Sequence, residues 1–361
     1  MTVLALARLR ALKGTVVAAV LAVAAVGAAW LLFMQAGVWL WAAAPVLSVG
    51  LAWGGATAVL VTDEALEKTR IRQMFQQYLP PAVVKELIRN PELLALGGEE
   101  RVATMLFSDV QGFSRVAEGL APTQLVALLN EYLTVMTDVV VEHGGIIDKY
   151  LGDALMAEFG VPVPVDDHAV RACRAALRMR DELARLRQGW KARGMPELHA
   201  RIGINTGRVL VGNLGSFRMM DYTCMGDHVN LASRLEGVNK EYGTQILVSE
   251  LTWKLVESHF VGREIDRVRV VGREEPVAIF ELVAVREAAV SEDTTALLAG
   301  FAEALALCRD RKFGAALDAF EALHQRFPDD GPTAVYLERS RKNAILPPPV
   351  DWDGVYQLAS K

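Results

Sequence analysis

The sequence predicts an α+β domain, a sheet containing antiparallel strands and covered by helices, set between an apolar N-terminal stretch and a helical tail. Three observations carry this reading. From Arg101 to about Val285, strand-like apolar runs alternate with helical-period runs in the order βαββαβ, with further strands behind. From Gly14 to Thr62 there is no charged residue. From about Thr294 the chain carries one helical-repeat signature.

At the N-terminus, Thr15–Phe33 and Val38–Val61 form two apolar stretches separated by Met34–Gly37. A helix over the first would rise roughly 28 Å, close to the ~30 Å of a bilayer's hydrocarbon core. Arg8, Arg10 and Lys13 before an apolar run also suit a cleaved signal peptide, but a second stretch directly after the first argues against one. Positive charge precedes the first span, and Lys68, Arg70 and Arg72 follow the second. A membrane-embedded hairpin with both ends in the cytoplasm is therefore expected, a multi-pass anchor in the inner membrane. From Thr62 to Tyr78, Leu66, Ile71, Met74 and Tyr78 form an apolar stripe. It suits either a helix packed on the next domain or a parallel coiled coil between protomers. Pro80-Pro81 breaks it and opens a short helix over Ala82–Arg89.

Within the central region Val102–Phe107 reads as a buried strand, and Leu125–Val141 as a helix stopped by Gly144-Gly145. Ile146–Tyr150 and Ala154–Phe159 flank Gly152-Asp153 as a β-hairpin. Asp167–Leu186 is a long amphipathic helix. His199–Asn205 and Arg208–Val211 read as strands around a Thr206-Gly207 turn. Asp227–Tyr242 reads as a helix with Asp227 as its N-cap, and Gln245–Val248 as a strand. In the tail, Ala304, Ala316, Phe320 and Pro328 fall at tetratricopeptide offsets. A single repeat cannot bury its own face, so it should dock on the central domain or on a partner chain. The expected boundaries are 1–61, 62–100, 101–285 and 286–361, with the spans at about 15–33 and 38–61.

Charge excludes one class of partner. With 38 Lys and Arg against 43 Asp and Glu, no polycationic surface points to nucleic acid. Cys173, Cys224 and Cys308 lack metal-type spacing and read as free thiols.

Three motifs carry candidate chemistry. In Phe107-Ser108-Asp109-Val110-Gln111-Gly112-Phe113-Ser114 a strand delivers a carboxylate to a Gly-containing turn whose N–H groups could face phosphate. In Asp148-Lys149-Tyr150-Leu151-Gly152-Asp153 a second carboxylate sits at a hairpin tip. Asp109 and Asp153 together suit Mg²⁺, which takes one or two carboxylates plus substrate phosphates. Each Asp alone is equally an ordinary turn residue. In Tyr222–Arg234, Asn230 and Arg234 share one helix face.

In this order and spacing the motifs resemble the catalytic domain of class III adenylate and guanylate cyclases, over about Leu79 to Val285. The resemblance implies a ferredoxin-like βαββαβ catalytic domain and a head-to-tail homodimer with two sites at its interface. It implies two Mg²⁺ or Mn²⁺ ions per site at Asp109, Val110 and Asp153, with Phe113 and Ser114 in the substrate-binding turn. Asn230 would orient the ribose and Arg234 would stabilise the transition state, both from the partner protomer. Lys149 and Thr223 occupy the purine-reading positions, and Arg273, in Val271-Gly272-Arg273-Glu274, a triphosphate-binding one. The Lys–Thr pairing favours ATP, since Lys149 is donor-only and suits a ring nitrogen, while Thr223 can accept from the exocyclic amine. The same pairing resembles a cyclase subset that bicarbonate stimulates. Pro328-Asp329-Asp330-Gly331-Pro332 and Pro347–Gly354 look like the tails of some bacterial membrane cyclases. The alternatives are a guanylate cyclase and an inactive nucleotide-binding signalling module. A diguanylate cyclase is set aside, because Gly97-Gly98-Glu99-Glu100 is followed by Arg101 and precedes a strand instead of tipping a hairpin.

Overall fold

A computed structural model describes residues 2–39, 41, 43–55, 57–58, 62, 97–269 and 275–357. The chain divides into two compact units, Met1–Leu79 and Pro80–Lys361. The expected connector helix and coiled coil lie outside the described residues, as does Arg273.

In the first unit, helix α1 runs from Thr2 to Ala36, and its Gly14–Ala36 part is apolar over 23 residues. Helix α2, Ala43–Gly55, is a shorter apolar helix. The expected break at Met34–Gly37 falls later, because Met34, Gln35 and Ala36 all tolerate helix. Gly37 ends α1 instead, at φ 69°, its N–H bonding to the Phe33 carbonyl at 3.1 Å.

The second unit is built on strands β1 (Gly97–Val110), β2 (Ile146–Leu151), β3 (Ala154–Phe159) and β4 (Ala200–Ser216). Strands β5 (Met219–Met225), β6 (Ile246–Ser249), β7 (Phe260–Arg269), β8 (Val277–Val285) and β9 (Tyr356–Gln357) extend them. The order across the sheet is β2-β3-β1-β4-β6-β8-β7-β9, with β5 paired to β4. β1 runs antiparallel to both β3 and β4, so it lies at the centre of the βαββαβ core.

The faces follow from strand alternation. Leu106 and Val110 of β1 face helices α4 (Pro122–Glu142) and α5 (His168–Ala192), which supply Leu128, Met136, Leu177 and Leu183 to one core. Ala103 and Met105 face the other way, against Val229 and Ala232 of α6 (Asp227–Tyr242). Asp109, in step with Met105, therefore belongs to the α6 face. Helix α3 (Phe113–Glu118) follows β1, and α7 (Glu250–Val256) follows β6.

Several expectations are corrected. β4 is one continuous strand through Thr206 and Gly207, not two strands about a turn. Gly207 serves close approach: a Cβ there would lie 2.2 Å from the His228 ring of α6. Gly97–Glu100 do not precede the strand but form its first residues, paired with Leu210–Asn213. The N-cap of α6 is Gly226, with Asp227 in the first turn. The strand β5, helix α7 and the β7–β8 pair had no counterpart in the sequence reading.

The tail forms α8 (Glu292–Arg309), α9 (Phe313–Arg326) and α10 (Gly331–Ile345). Ala304, Ala316 and Phe320 pack into one cluster with Leu235 and Tyr242 of α6 and Ile265 of β7. The tail thus docks on the sheet and helix α6 of its own chain. Arg263 of β7 fastens it, with its guanidinium 2.8 Å from Glu281 and 2.5 Å from Asp330, the N-cap of α10.

Candidate active site

Two carboxylates meet where β1 ends and the β2–β3 hairpin turns. The register Ser108↔Leu155 sets the end of β1 beside the start of β3, so the hairpin tip comes alongside Asp109. Gly152, at φ 72°, makes the turn that a side-chain-bearing residue adopts rarely, and Asp153 follows it. The Asp109 and Asp153 carboxyls lie within hydrogen-bonding reach of each other. Burial first, then the charge of Asp153, raises the pKa of Asp109 above the usual carboxylate value, against the opposing pull of Arg201.

That donor set fits a hard cation. Two carboxylates crowded together are relieved by positive charge, and Mg²⁺ or Mn²⁺ accepts such ligands. Among the described residues no group of three or more His, Cys, Asp and Glu side chains is arranged to hold a metal ion. A cation here would therefore need further oxygens from water or from a bound phosphate. Val110 has its side chain in the core, 2% exposed, so only its backbone could face an ion. Phe113 and Ser114 open α3 directly after Gly112, which turns the chain at φ 64°.

Sequence reasoning missed the basic partner of this pair. Arg201 stands opposite Asp109 in the β1–β4 register, with Nη2 3.4 Å from Asp109 Oδ2 and Nε 3.0 Å from Glu236 Oε1 of α6. Burial is the main reason the Glu236 carboxyl is pushed up to about 7. The register is the signal that would have found Arg201, and single-sequence periodicity does not contain it.

Lys149 and Thr223 are brought together although they lie on different strands. Both converge on Asp148: Lys149 Nζ is 3.4 Å from its Oδ1, and the Thr223 hydroxyl donates to its Oδ2. Lys149 also lies 3.4 Å from Asp221 of β5. Burial works to lower the Lys149 pKa, but the charges of Asp148 and Asp221 outweigh it and hold it above the ordinary lysine value. Beneath them Glu158 is fully buried and accepts the Cys224 N–H at 2.8 Å.

Asn230 and Arg234 lie one turn apart on α6, Asn230 exposed and Arg234 half-buried. Arg234 Nη1 is buried with no hydrogen-bond partner among the described residues. A buried guanidinium nitrogen without an acceptor is a costly arrangement that an anionic group would satisfy.

Comparison with known proteins identifies relatives of the second unit. The model of the adenylate and guanylate cyclase catalytic domain matches residues 98–283. The chain is 35% identical over 211 residues to adenylate cyclase 1 of Rhizobium meliloti, covering 58% of this chain and 32% of that protein. It is 34% identical over 239 residues to an adenylate cyclase of Anabaena cylindrica, covering 63% of this chain and 46% of the relative. The chain thus spans less than half the length of either. Among solved structures, the adenylyl cyclase CyaB from P. aeruginosa is 37% identical with a TM-score of 0.50, covering 54% of this chain and 100% of that one. A bacterial light-regulated adenylyl cyclase is 25% identical with a TM-score of 0.54, covering 63% of this chain and 65% of the other.

Proposed function

The chain belongs to the adenylate and guanylate cyclase catalytic-domain family, and we propose that it is a membrane-anchored adenylate cyclase, converting ATP to 3′,5′-cyclic AMP and pyrophosphate at the interface of a homodimer. The observation that carries this reading is the abutting Asp109–Asp153 pair, whose crowded carboxyls suit divalent cations carrying a polyphosphate.

Two Mg²⁺ or Mn²⁺ ions at Asp109, Asp153 and the Val110 backbone would neutralise the triphosphate and make the ribose hydroxyl more acidic. The reaction forms a bond from the ribose 3′-oxygen to the α-phosphorus and breaks the bond from that phosphorus to the β-phosphate's bridging oxygen. Pyrophosphate leaves with the electron pair, and the hydroxyl proton passes to solvent. Asn230 orients the ribose. Arg234, whose Nη1 is buried without an acceptor, offsets charge on the phosphoryl oxygens as it develops. Arg273 would add a second positive charge at the triphosphate, and Phe113 and Ser114 open the helix beside it. Lys149 and Thr223 read the purine.

The family includes both nucleotide specificities. ATP is favoured by the donor-only Lys149 beside Thr223, and by the adenylate cyclases among the relatives. The apolar helices Gly14–Ala36 and Ala43–Gly55 support a membrane anchor. The test is to incubate the purified chain with Mn²⁺ and either ATP or GTP, resolving cyclic AMP, cyclic GMP and pyrophosphate. Cyclic AMP with equimolar pyrophosphate is expected. Cyclic GMP as the main product contradicts the substrate assignment, and no cyclic product contradicts the activity.

A further inference from the structure

Taking Lys149 and Thr223 as the purine-reading pair proposed above, we infer that Asp148 fixes the hydrogen-bond polarity of that pair and so selects adenine over guanine. Asp148 points into the protein, its side chain 1% exposed. A carboxylate only accepts hydrogen bonds. Because Asp148 Oδ2 takes the Thr223 hydroxyl hydrogen, Thr223 has only oxygen lone pairs left to show a ligand. The nearest other acceptor for that hydrogen, the Cys224 carbonyl at 3.5 Å, would leave the same polarity. Lys149 is held from two sides, by Asp148 and by Asp221, each at 3.4 Å. Its ammonium offers only donors.

The pair therefore presents one acceptor and one donor in fixed order. Adenine matches it with an amine N–H for Thr223 and a bare ring nitrogen for Lys149. Guanine reverses both, placing a carbonyl oxygen against the threonine lone pairs and a ring N–H against the ammonium. Without Asp148 the threonine hydroxyl could rotate and donate to that carbonyl, and the discrimination would weaken.

Glu158 lies beside Asp148, beneath the pair. Its carboxyl is fully buried on β3, with Oε1 accepting the Cys224 N–H and Oε2 meeting no donor among the described residues. Burial, followed by the charge of Asp148 beside it, pushes its pKa up to about 8. Glu158 thus holds its proton more readily than an ordinary glutamate and adds little negative charge beside Asp148. Asp148 is a positioning residue: it acts on the nucleotide only through Thr223 and Lys149.

The experiment measures kcat/KM for ATP and for GTP with Mn²⁺ on the full chain. Asp148→Asn should lower the ATP-to-GTP ratio by about tenfold or more, the scale of one mismatched buried hydrogen bond. Thr223→Val should lower it similarly, and adding Asp148→Asn to that variant should change it no further. Glu158→Gln, which mimics the neutral acid, should keep the wild-type ratio. An unchanged ratio in Asp148→Asn, or an equal fall in the Thr223→Val background, overturns the inference. If Asp148→Asn fails to fold, an unchanged ratio in Thr223→Val overturns it instead. Failure of the cyclase reading shows separately, as a wild-type chain forming no cyclic nucleotide, and takes the inference with it.

Discussion

Replacing Arg263 with Met should loosen the tail from the catalytic unit by a calculable amount. The Arg263 side chain is 4% exposed and lies between Glu281 and Asp330, at 2.8 and 2.5 Å. Its guanidinium also stacks over Phe301, 4.6 Å from the ring centroid. Methionine keeps the apolar stem against that ring but leaves two partly buried carboxylates without their cation. Breaking a buried pair in this way costs about 3–5 kcal/mol. Asp330 retains its bonds from the Thr333 N–H at 3.0 Å and hydroxyl at 2.6 Å, which places the cost near the lower figure. At ~2–4 °C per kcal/mol for a domain of this size, Tm should fall by roughly 6–12 °C at pH 8. Burial already raises the Glu281 pKa, with Arg263 opposing it. Removing Arg263 raises it further, so the folded variant binds protons more readily than its unfolded chain and gains stability as pH falls. Calorimetry of the purified chain between pH 5 and 8 should show the Tm difference from wild type shrinking toward acid. A fall under about 3 °C at pH 8, or a difference that widens toward acid, would refute the clamp.

Four further outcomes are expected. Asp109→Asn and Asp153→Asn should each lower kcat by about 10³-fold or more in a cyclic AMP assay, since several kcal/mol of charge stabilisation depend on the ions. Calorimetry in EDTA should find Asp109→Asn at least as stable as wild type, because burial and the Asp153 charge already disfavour the ionised Asp109. Bicarbonate, varied at fixed pH and ionic strength with chloride as control, should raise cyclic AMP production, and a flat response removes that effector. Reporter fusions at Gly37 and Lys361 should fall on opposite sides of the membrane, and a same-side result contradicts the hairpin.

Much of the architecture is legible because local rules and tertiary demands agree. The hairpin around Gly152-Asp153, the helix from Leu125 and the helix ending at Tyr242 each have periodicity and stop signals matching their final packing. Gly207 misleads for the opposite reason: a Gly beside Thr reads as a turn, whereas the His228 ring of α6, packed against the strand, requires the missing side chain. β5 escapes notice because its outer half, Met219–Asp221, is exposed and carries little apolar alternation. Asp109 and Asp153 could be singled out as carboxylates beside glycine turns, and Lys149 and Thr223 through the family resemblance, and the structure sets them in two clusters. Arg201, Asp148 and Glu158 could not, since each matters only through a partner on another strand. Chain periodicity carries no such register.

A mixed dimer tests most directly whether the cyclase sites are shared between two protomers. Asp153→Ala and Arg234→Ala homodimers should each be inactive in producing cyclic AMP. Co-expressed, they should pair at random, so that about half the dimers are mixed and each mixed dimer has one intact site. Cyclic AMP production should then recover to roughly a quarter of the wild-type rate. No recovery in verified heterodimers contradicts the shared site and the role given to Arg234.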